Sequence, residues 1–479
     1  MYLLARFFDS TDIFYVPLCF IILFAVIRYK ANRQKEKHVR RLYFQAFGFR
    51  IICVVIFTLI TEYYFKGGDT GLYYQATMDL RAALKDNFDL LSDVITSLRL
   101  TSSNPLFPYF YYDNYADDLT YNYMSSPSNF FIPKLALLPA IAFNNSYVCI
   151  NMLFSFFALG GAIRLFKFFY HYYPQYWREI AIATLFLPDV CYWCSGLLKD
   201  PVCFGAIGYI LYGMLNIFVK KRKIFISLVW IFIASFLIFY IKVYILLVLA
   251  LSILIWLFAE FNKLINDKTL RRVFAIMTFS LAVFLGYVMI NYLTSQEAAQ
   301  GYRLDKIMER SEDQRRNYAA ITEERRGSHF EINTSNPVLL VLNGVSATFY
   351  RPFPWEIKSP IMLLSAAEAL IFLYLTLYFV FKRGLGKFFG MPFTDPRIMM
   401  CFIFSFLFAI AVGSTTANFG ALSRYKIPCM PFYFLMLMLL YKKANLPYPK
   451  WFNTLLIKIT GKAPFKPKPL YPAKSPVPS

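Results

Sequence analysis

One aspartate lies where chemistry at a membrane surface is feasible, in the segment Lys-Gly-Gly-Asp69-Thr-Gly-Leu-Tyr73. Gly67 and Gly68 let the backbone turn as it leaves an apolar segment, which would set Asp69 at the mouth of a cavity between helices. A carboxylate there can take a proton from an acceptor hydroxyl, or hold a leaving phosphate through a divalent ion. Tyr73 would offer a ring for stacking. The structural alternative is that Asp69 caps the helix that follows.

A second candidate segment, predicted to be a tight outer turn, runs from Leu187 through Asp189 to Pro201. Trp193 is typical of an interfacial belt, and Lys199, supported by Asp200, can hold an anionic headgroup or a diphosphate at the start of the next apolar stretch. The alternative is that Lys199 only extends its ammonium to the interface. Cys191 and Cys194 form a C-x-x-C pair, which is weak evidence for a metal without a second pair, and a redox role stays open.

A third candidate is the segment Arg351-Pro-Phe-Pro-Trp355-Glu356. Its two prolines hold the backbone extended. The Trp355 ring is a plane on which a sugar or a polyprenyl chain can rest, and the Arg351 guanidinium is a bidentate fork suited to phosphate. The alternative is an interfacial anchor in which Arg351 pairs with Glu356.

Further charges lie in or beside apolar segments. Arg424 and Lys426 precede the last apolar stretch, on a side of the membrane where basic residues are uncommon, so we expect them to bind phosphate. Arg50 and Glu368 lie within apolar segments, where charge indicates function or pairing, and they can neutralise each other if their helices are neighbours. With three histidines in the chain and no glycine-rich phosphate loop, we expect no metal site, Ser-His-Asp triad or nucleotide hydrolysis.

The composition shows what must position these residues. Of 479 residues, 58% are apolar and 16% charged, whereas soluble proteins have about 45–50% and about 25%. A membrane span needs about 20 mostly apolar residues, and about eleven segments qualify. The sequence therefore predicts an all-α, polytopic transmembrane helical bundle. The predicted spans are 11–28, 43–64, 146–170, 178–196, 201–219, 224–241, 244–261, 273–293, 360–381, 397–414 and 427–441.

The charge distribution predicts the sidedness. The loops on one predicted face, with the C-terminal tail, hold 30 basic against five acidic residues. Because cytoplasmic loops collect Lys and Arg, that face is predicted to be cytoplasmic, with the N-terminus outside and the C-terminus inside. This division accounts for the net charge of +22 and removes the argument for a nucleic-acid partner.

The predicted transmembrane domain covers residues 1–441, and a basic Pro- and Lys-rich cytoplasmic tail, suited to contacting membrane lipids, covers 442–479. Two long outer loops, 65–133 and 294–335, are predicted to contain amphipathic helices. Two further apolar stretches, 135–143 and 337–349, are too short to cross and are predicted to lie in the outer interface. The N-terminus shows no cleavable leader pattern and is read as mature.

The chain resembles GT-C-type integral-membrane glycosyltransferases and bacterial membrane proteins of the polysaccharide-polymerase kind. The resemblance implies transfer of a sugar or glycan from a polyprenyl-phosphate-linked donor at the outer side of a bacterial cytoplasmic (inner) membrane. The motifs that carry it are Gly-Gly-Asp69-Thr-Gly-Leu-Tyr73, Trp193-Cys-Ser-Gly-Leu-Leu-Lys199-Asp200, Arg351-Pro-Phe-Pro-Trp355-Glu356 and Arg424-Tyr-Lys-Ile-Pro.

The resemblance also implies roles. Asp69 matches the acidic residue of the first outer loop and would be the general base or the carboxylate that positions the acceptor. Lys199, Arg351 and Arg424 would neutralise the lipid phosphate. Since the second acidic residue often found beside the first is missing here, the resemblance favours a mechanism without a cofactor or divalent cation.

Two other function classes compete with this one. A transporter or flippase of a lipid-linked or small anionic substrate would place charges near mid-membrane, and Arg50 and Glu368 give it some support. A non-catalytic envelope scaffold would act through its outer loops. The other candidate charges lie at predicted surface turns, which favours the enzyme.

Overall fold

In the computed structural model, the described part of the chain is a bundle of α-helices. The structure describes residues 8–111, 119–262, 337–416 and 418–461, with scattered positions between 267 and 287. The predicted outer loop 294–335 and most of the predicted span 273–293 lie outside the described residues. No strand occurs in the described ranges, and the all-α prediction is confirmed.

Most helices that are consecutive within the described ranges are joined by short connections. Two of them, α2 and α11, continue as π-helical turns over Thr61–Phe65 and Leu215–Val219. The helices are α1 (Asp12–Asn32), α2 (Lys37–Ile60), α3 (Gly68–Asp86), α4 (Leu91–Thr96), α5 (Phe107–Tyr111), α6 (Leu119–Met124), α7 (Pro127–Ala142), α8 (Tyr147–Tyr172), α9 (Trp177–Leu185), α10 (Pro188–Trp193), α11 (Lys199–Met214), α12 (Ile224–Asn262), α13 (Pro337–Tyr350), α14 (Pro360–Arg383), α15 (Leu385–Gly390), α16 (Pro396–Thr415), α17 (Phe419–Tyr425), α18 (Met430–Lys443) and α19 (Lys450–Thr460).

Seven of the described helices are long and apolar enough to cross a membrane, which supports a multi-pass membrane protein. These seven helices do not test the predicted number of eleven spans or the predicted sidedness, and both remain predictions. The seven are Asp12–Asn32, Lys37–Phe65, Tyr147–Tyr172, Lys199–Val219, Ile224–Asn262, Ile361–Arg383 and Pro396–Ser414.

The predicted span 178–196 is wrong as a single helix. The chain leaves helical geometry at Phe186, and Pro188 begins a second helix. Proline has no backbone N–H and favours the first position of a helix, so it separates α9 from α10. The predicted last span corresponds to α18, whose 14 residues extend for about 21 Å.

The longest helix, α12, reverses direction at Lys242. A straight helix of its 39 residues would separate its ends by about 58 Å. Its first residue follows α11 by a short turn, yet Phe261 near its last residue lies with its ring centroid 6.1 Å from that of Phe218 at the end of α11. Lys242 has non-helical backbone angles, φ −150° and ψ 75°. The reversal therefore lies between the predicted spans 224–241 and 244–261.

Three segments predicted at the interface or in the tail have helical structure. The stretch 337–349 forms α13, whose Thr348 is buried and donates a hydrogen bond to the carbonyl of Ala409 in α16 at 3.1 Å, so it packs inside the bundle. The stretch 135–143 overlaps the second half of α7. The predicted tail begins with the end of α18 and with α19, and the carbonyl of Gly461 accepts a hydrogen bond from Arg178 at 3.0 Å. Residues 462–479 are outside the described ranges.

The helices α8 and α11 approach each other through glycines. A Cβ atom added to Gly161 would lie 2.2 Å from the carbonyl oxygen of Gly205, and one added to Gly208 would lie 2.0 Å from that of Gly161. Small residues let the backbones of membrane helices pack at this distance. This crossing fixes the position of α11, whose first turn carries Lys199 and Asp200.

We expect Gly161→Ala to destabilise the protein by about 1–3 kcal/mol, because the methyl group would overlap backbone atoms that cannot move aside. Gly48→Ala in α2 is the matched control, since a Cβ atom there meets nothing within 4 Å. Thermal unfolding of both variants in the same detergent measures the difference. Equal stability of Gly161→Ala and wild type would contradict this helix crossing.

Candidate functional site

Arg424 joins two carboxylates that are far apart in the sequence. Its Nη1 donates a hydrogen bond to Asp69 Oδ2 at 2.5 Å, and its Nε donates to Asp200 Oδ2 at 3.2 Å. The other oxygen of Asp200 accepts a hydrogen bond from Lys242 Nζ at 2.7 Å. These four side chains, with the neighbouring Lys199, form what we call the Arg424 cluster.

Four separate elements supply the Arg424 cluster. Asp69 lies in the first turn of α3, directly after Gly67 and Gly68, whose φ values of 118° and 62° place the sharp turn where glycine is favoured. The N-cap position of α3 is occupied by Gly67, so Asp69, which lies two residues later in the first turn, is not the capping residue. Lys199 and Asp200 are the first two residues of α11, and Lys242 lies at the reversal of α12. Arg424 lies in the last turn of α17.

The ion pair of Asp200 with Lys242 is the buried base of the cluster. The Asp200 side chain is fully buried and that of Lys242 is nearly so. Lys242 Nζ also lies 4.7 Å from the centre of the Tyr425 ring. Removing one partner of a buried pair leaves an uncompensated charge, at a cost of about 3–5 kcal/mol. This pair therefore has a mainly structural role.

Lys199 supplies the surplus charge of the cluster. Its Nζ donates a hydrogen bond to Ser128 Oγ at 2.8 Å, and within the described residues no carboxylate lies at ion-pair distance from it. Arg424 and Lys242 are matched by Asp69 and Asp200. The five side chains thus carry a formal surplus of one positive charge, held on Lys199, and a site of this kind favours an anion.

The Asp69 carboxylate is held in its ionised form. Burial acts to raise its pKa, but the charge and hydrogen bond of Arg424, together with the charge of Lys199, lower the pKa below its ordinary value of 3.8. The Asp69 side chain is 41% exposed. A carboxylate with a lowered pKa accepts protons poorly, so this geometry favours Asp69 as a positioning carboxylate over Asp69 as a general base.

The three predicted stacking residues have different surroundings. Tyr73 is buried and hydrogen-bonded to Asn129 Oδ1 at 3.2 Å. Trp193 is also buried, and the guanidinium of Arg424 lies 5.7 Å from its ring centre. Trp355 is 79% exposed and stacks on Phe353. Of the three rings, that of Trp355 is therefore the one open to a ligand or a lipid.

Arg351 lies apart from the Arg424 cluster and is paired. Its guanidinium forms a bidentate ion pair with Glu356, with Nε 3.0 Å from Oε1, as the structural alternative predicted. The Glu356 carboxylate also accepts a hydrogen bond from the backbone N–H of Phe353 at 2.8 Å. The Arg351 guanidinium lies 5.1 Å from the ring centre of Phe419, in the same short helix as Arg424.

Three residues make contacts that differ from their predicted roles of binding phosphate or pairing with each other. They are Lys426, Arg50 and Glu368. Lys426 is fully buried, with Nζ 3.9 Å from Asp189 Oδ2, so it belongs to a second group of charges. Arg50 Nη1 donates to the carbonyls of Cys191 and Cys194 at 3.4 and 3.3 Å.

Glu368 accepts a hydrogen bond from the backbone N–H of Asp189 at 3.1 Å. No ion pair joins Arg50 to Glu368 in the described residues, where Arg50 donates to the carbonyls of Cys191 and Cys194 and Glu368 accepts from the backbone N–H of Asp189. Cys191 and Cys194 are buried free thiols.

Sequence reasoning missed Lys242 and Ser128, and it included Asp189 in the second candidate segment without giving it a role. Lys242 is a lysine inside an otherwise apolar stretch, and that intramembrane charge was a usable signal. Asp189, in the predicted span 178–196, carried the same signal, whereas Ser128 carried none. Within the described residues, no three His, Cys, Asp or Glu side chains are grouped as a metal site would require.

Comparison with known proteins adds no family. No family model matches the chain, and no characterised protein or solved structure does. The resemblance to GT-C-type glycosyltransferases accordingly stays a prediction.

The lowered pKa of Asp69 predicts how the stability of the protein depends on pH. A carboxylate whose pKa is lower in the folded state stabilises the fold above its ordinary value of 3.8, and this contribution is lost as the pH falls through the lowered value. We expect Asp69→Asn to melt below wild type by a constant margin from pH 8 to pH 5, and the margin to shrink only below about pH 4.

The exposed Asp89 gives the control, since Asp89→Asn should change the melting temperature little at any pH. A margin for Asp69→Asn that already shrinks between pH 7 and pH 6 would mean a raised pKa, and would restore Asp69 as a candidate general base.

Proposed function

We propose that the protein transfers a sugar or glycan from a polyprenyl-phosphate-linked donor to an acceptor at the outer face of a bacterial cytoplasmic membrane. In this proposal the chain spans the membrane about eleven times, with the N-terminus outside. The observation that carries the proposal is Lys199, a partly buried cation of the Arg424 cluster that has no carboxylate at ion-pair distance among the described residues. A phosphate group supplies the negative charge that this surplus would attract.

The Arg424 cluster suits the departure of a phosphate. In the transfer, the acceptor oxygen forms a bond to the anomeric carbon while the bond from that carbon to the phosphate oxygen breaks. The phosphate keeps the electron pair, and the proton of the acceptor leaves to water. Lys199 and Arg424 would stabilise the negative charge that develops on the leaving phosphate. Asp69, ionised and partly exposed, would accept a hydrogen bond from the attacking hydroxyl and orient it.

The exposed Trp355 suits the lipid part of the donor. Its segment contacts Phe419 through Arg351, and Phe419 shares a short helix with Arg424. Tryptophan combines apolar area with a polar N–H and is favoured at membrane interfaces. A polyprenyl chain lying beside Trp355 would therefore have its phosphate on the same side of the bundle as the Arg424 cluster.

A transporter of a lipid-linked or anionic substrate is the second candidate, supported by the buried charges of Arg50 and Glu368 within apolar helices. Transport moves the donor without changing it, whereas transfer consumes it. In vesicles containing the purified protein, conversion of lipid-linked sugar to lipid phosphate and glycosylated acceptor would distinguish the two. A scaffold would do neither.

We expect Lys199→Ala and Asp69→Asn each to reduce glycan transfer by about 100-fold at normal protein abundance. Lys199→Ala removes a cation that stabilises the leaving phosphate, and Asp69→Asn removes the carboxylate that orients the attacking hydroxyl. The measurement compares lipid-linked sugars and surface glycans in cells lacking the protein and in cells restored with each variant. The exposed Lys85 of α3 provides a charge-matched control, and Lys85→Ala should restore wild-type levels. Unchanged lipid-linked sugars and glycans in the null strain would overturn the proposal.

A further inference from the structure

A second group of charges lies completely inside the protein, apart from the Arg424 cluster. Its carboxylates are Asp189, 1% exposed, and Glu368, 4% exposed; its single ammonium belongs to Lys426, 0% exposed. The backbone N–H of Asp189 donates to Glu368 Oε2 at 3.1 Å, so the two residues are in direct contact. Ser365, one helical turn before Glu368, donates to Asp189 Oδ2 at 2.6 Å. We call Asp189 and Glu368 the buried acid pair.

The hydrogen bonds of the buried acid pair are incomplete. Asp189 Oδ1 and Glu368 Oε1 are both inaccessible to solvent, and neither has a hydrogen-bond partner in the part of the chain that the structure describes. An ionised carboxylate has about four lone-pair sites for donors, and Glu368 uses one of them. An isolated, ionised carboxylate in such surroundings is so unfavourable that it takes up a proton instead.

Nearby cations do not neutralise both acids. Lys426 Nζ lies 3.9 Å from Asp189 Oδ2, beyond hydrogen-bond distance, and 3.4 Å from the backbone carbonyl of Arg351. Arg50, on α2, directs its guanidinium to the carbonyls of Cys191 and Cys194. In the described part of the chain, no cation lies at ion-pair distance from Glu368.

We propose that the buried acid pair is a proton-binding site, in which Asp189 and Glu368 together hold one proton at neutral pH. With the proton bound, one of the two carboxyls has an O–H that can donate a hydrogen bond. The proton also cancels the one negative charge of the acid pair that Lys426 does not neutralise. A metal cation is disfavoured because the ammonium of Lys426 would repel it. This inference does not rest on sugar transfer and holds for any function of the Arg424 cluster.

Neighbouring residues of the chain connect the buried acid pair to the Arg424 cluster. Arg424 and Lys426 are two residues apart at the end of α17, and their side chains point to the two different groups of charges. Trp193, on the same short helix as Asp189, faces Arg424. Loss of the proton would strengthen the pull of the acid pair on Lys426, which gives a route by which the proton and an anion at Arg424 influence each other.

Infrared spectroscopy of the full-length protein in lipid bilayers tests the proposal, because a protonated carboxyl has a C=O stretch separate from that of a carboxylate. At pH 7 we expect the wild type to show a C=O band of a protonated carboxyl, and we expect this band to shift in heavy water. In Glu368→Gln the band should decrease by the intensity of one carboxyl group. Glutamine keeps an oxygen that can accept from the Asp189 N–H, so the fold should persist. Asp189→Asn is the second variant, and it should also remove or shift the band.

Asp89→Asn, which alters an exposed carboxylate, should leave the C=O band of the protonated carboxyl unchanged at pH 7. Absence of the band in the wild type at pH 7 would overturn the proposal without any variant. So would a band that survives in both Glu368→Gln and Asp189→Asn. A band present in choline buffer and lost in sodium buffer would also overturn it, in favour of a metal-cation site.

Discussion

The buried ion pair between Asp200 and Lys242 is the interaction on which the described site depends. It joins the first turn of α11 to the reversal of α12, and neither charge could stay buried without the other. Because Lys242 occupies one oxygen of Asp200, the other oxygen is available to Arg424. Arg424 in turn reaches Asp69 at the start of α3. One buried pair therefore organises the four elements that supply the Arg424 cluster.

The site combines a rigid base with an accessible edge. Glycines at the crossing of α8 and α11 fix the helix that carries Asp200, and the surrounding side chains exclude solvent from Asp200 and Lys242. Asp69 and Lys199, in contrast, are partly exposed. Rigid positioning of charges near a partly exposed edge is what a protein needs to stabilise charge on a bound group, since the charges then require little rearrangement during the reaction.

Much of the helical architecture could be predicted from the sequence, because composition and the length of apolar stretches decide it. Asp69, Lys199, Asp200 and Arg424 were also identifiable, as charges at the ends of apolar stretches. Which helices are neighbours was not, since contacts such as that of Arg424 with Asp69 link residues 355 positions apart. For the same reason the burial of Tyr73 and the separation of Arg50 from Glu368 required the structure, whereas the pairing of Arg351 with nearby Glu356 was one of the two alternatives that the sequence offered.

The central claim is that the Arg424 cluster binds the phosphate of a lipid carrier, and equilibrium binding to the purified protein in lipid nanodiscs tests it most directly. The two ligands are a polyprenyl phosphate and the uncharged polyprenol of the same length. The account predicts that the phosphate binds at least about tenfold more tightly, a difference of about 1.4 kcal/mol, and that Lys199→Ala removes this preference while Lys85→Ala keeps it. Equal affinities for the two lipids in the wild type would contradict the account.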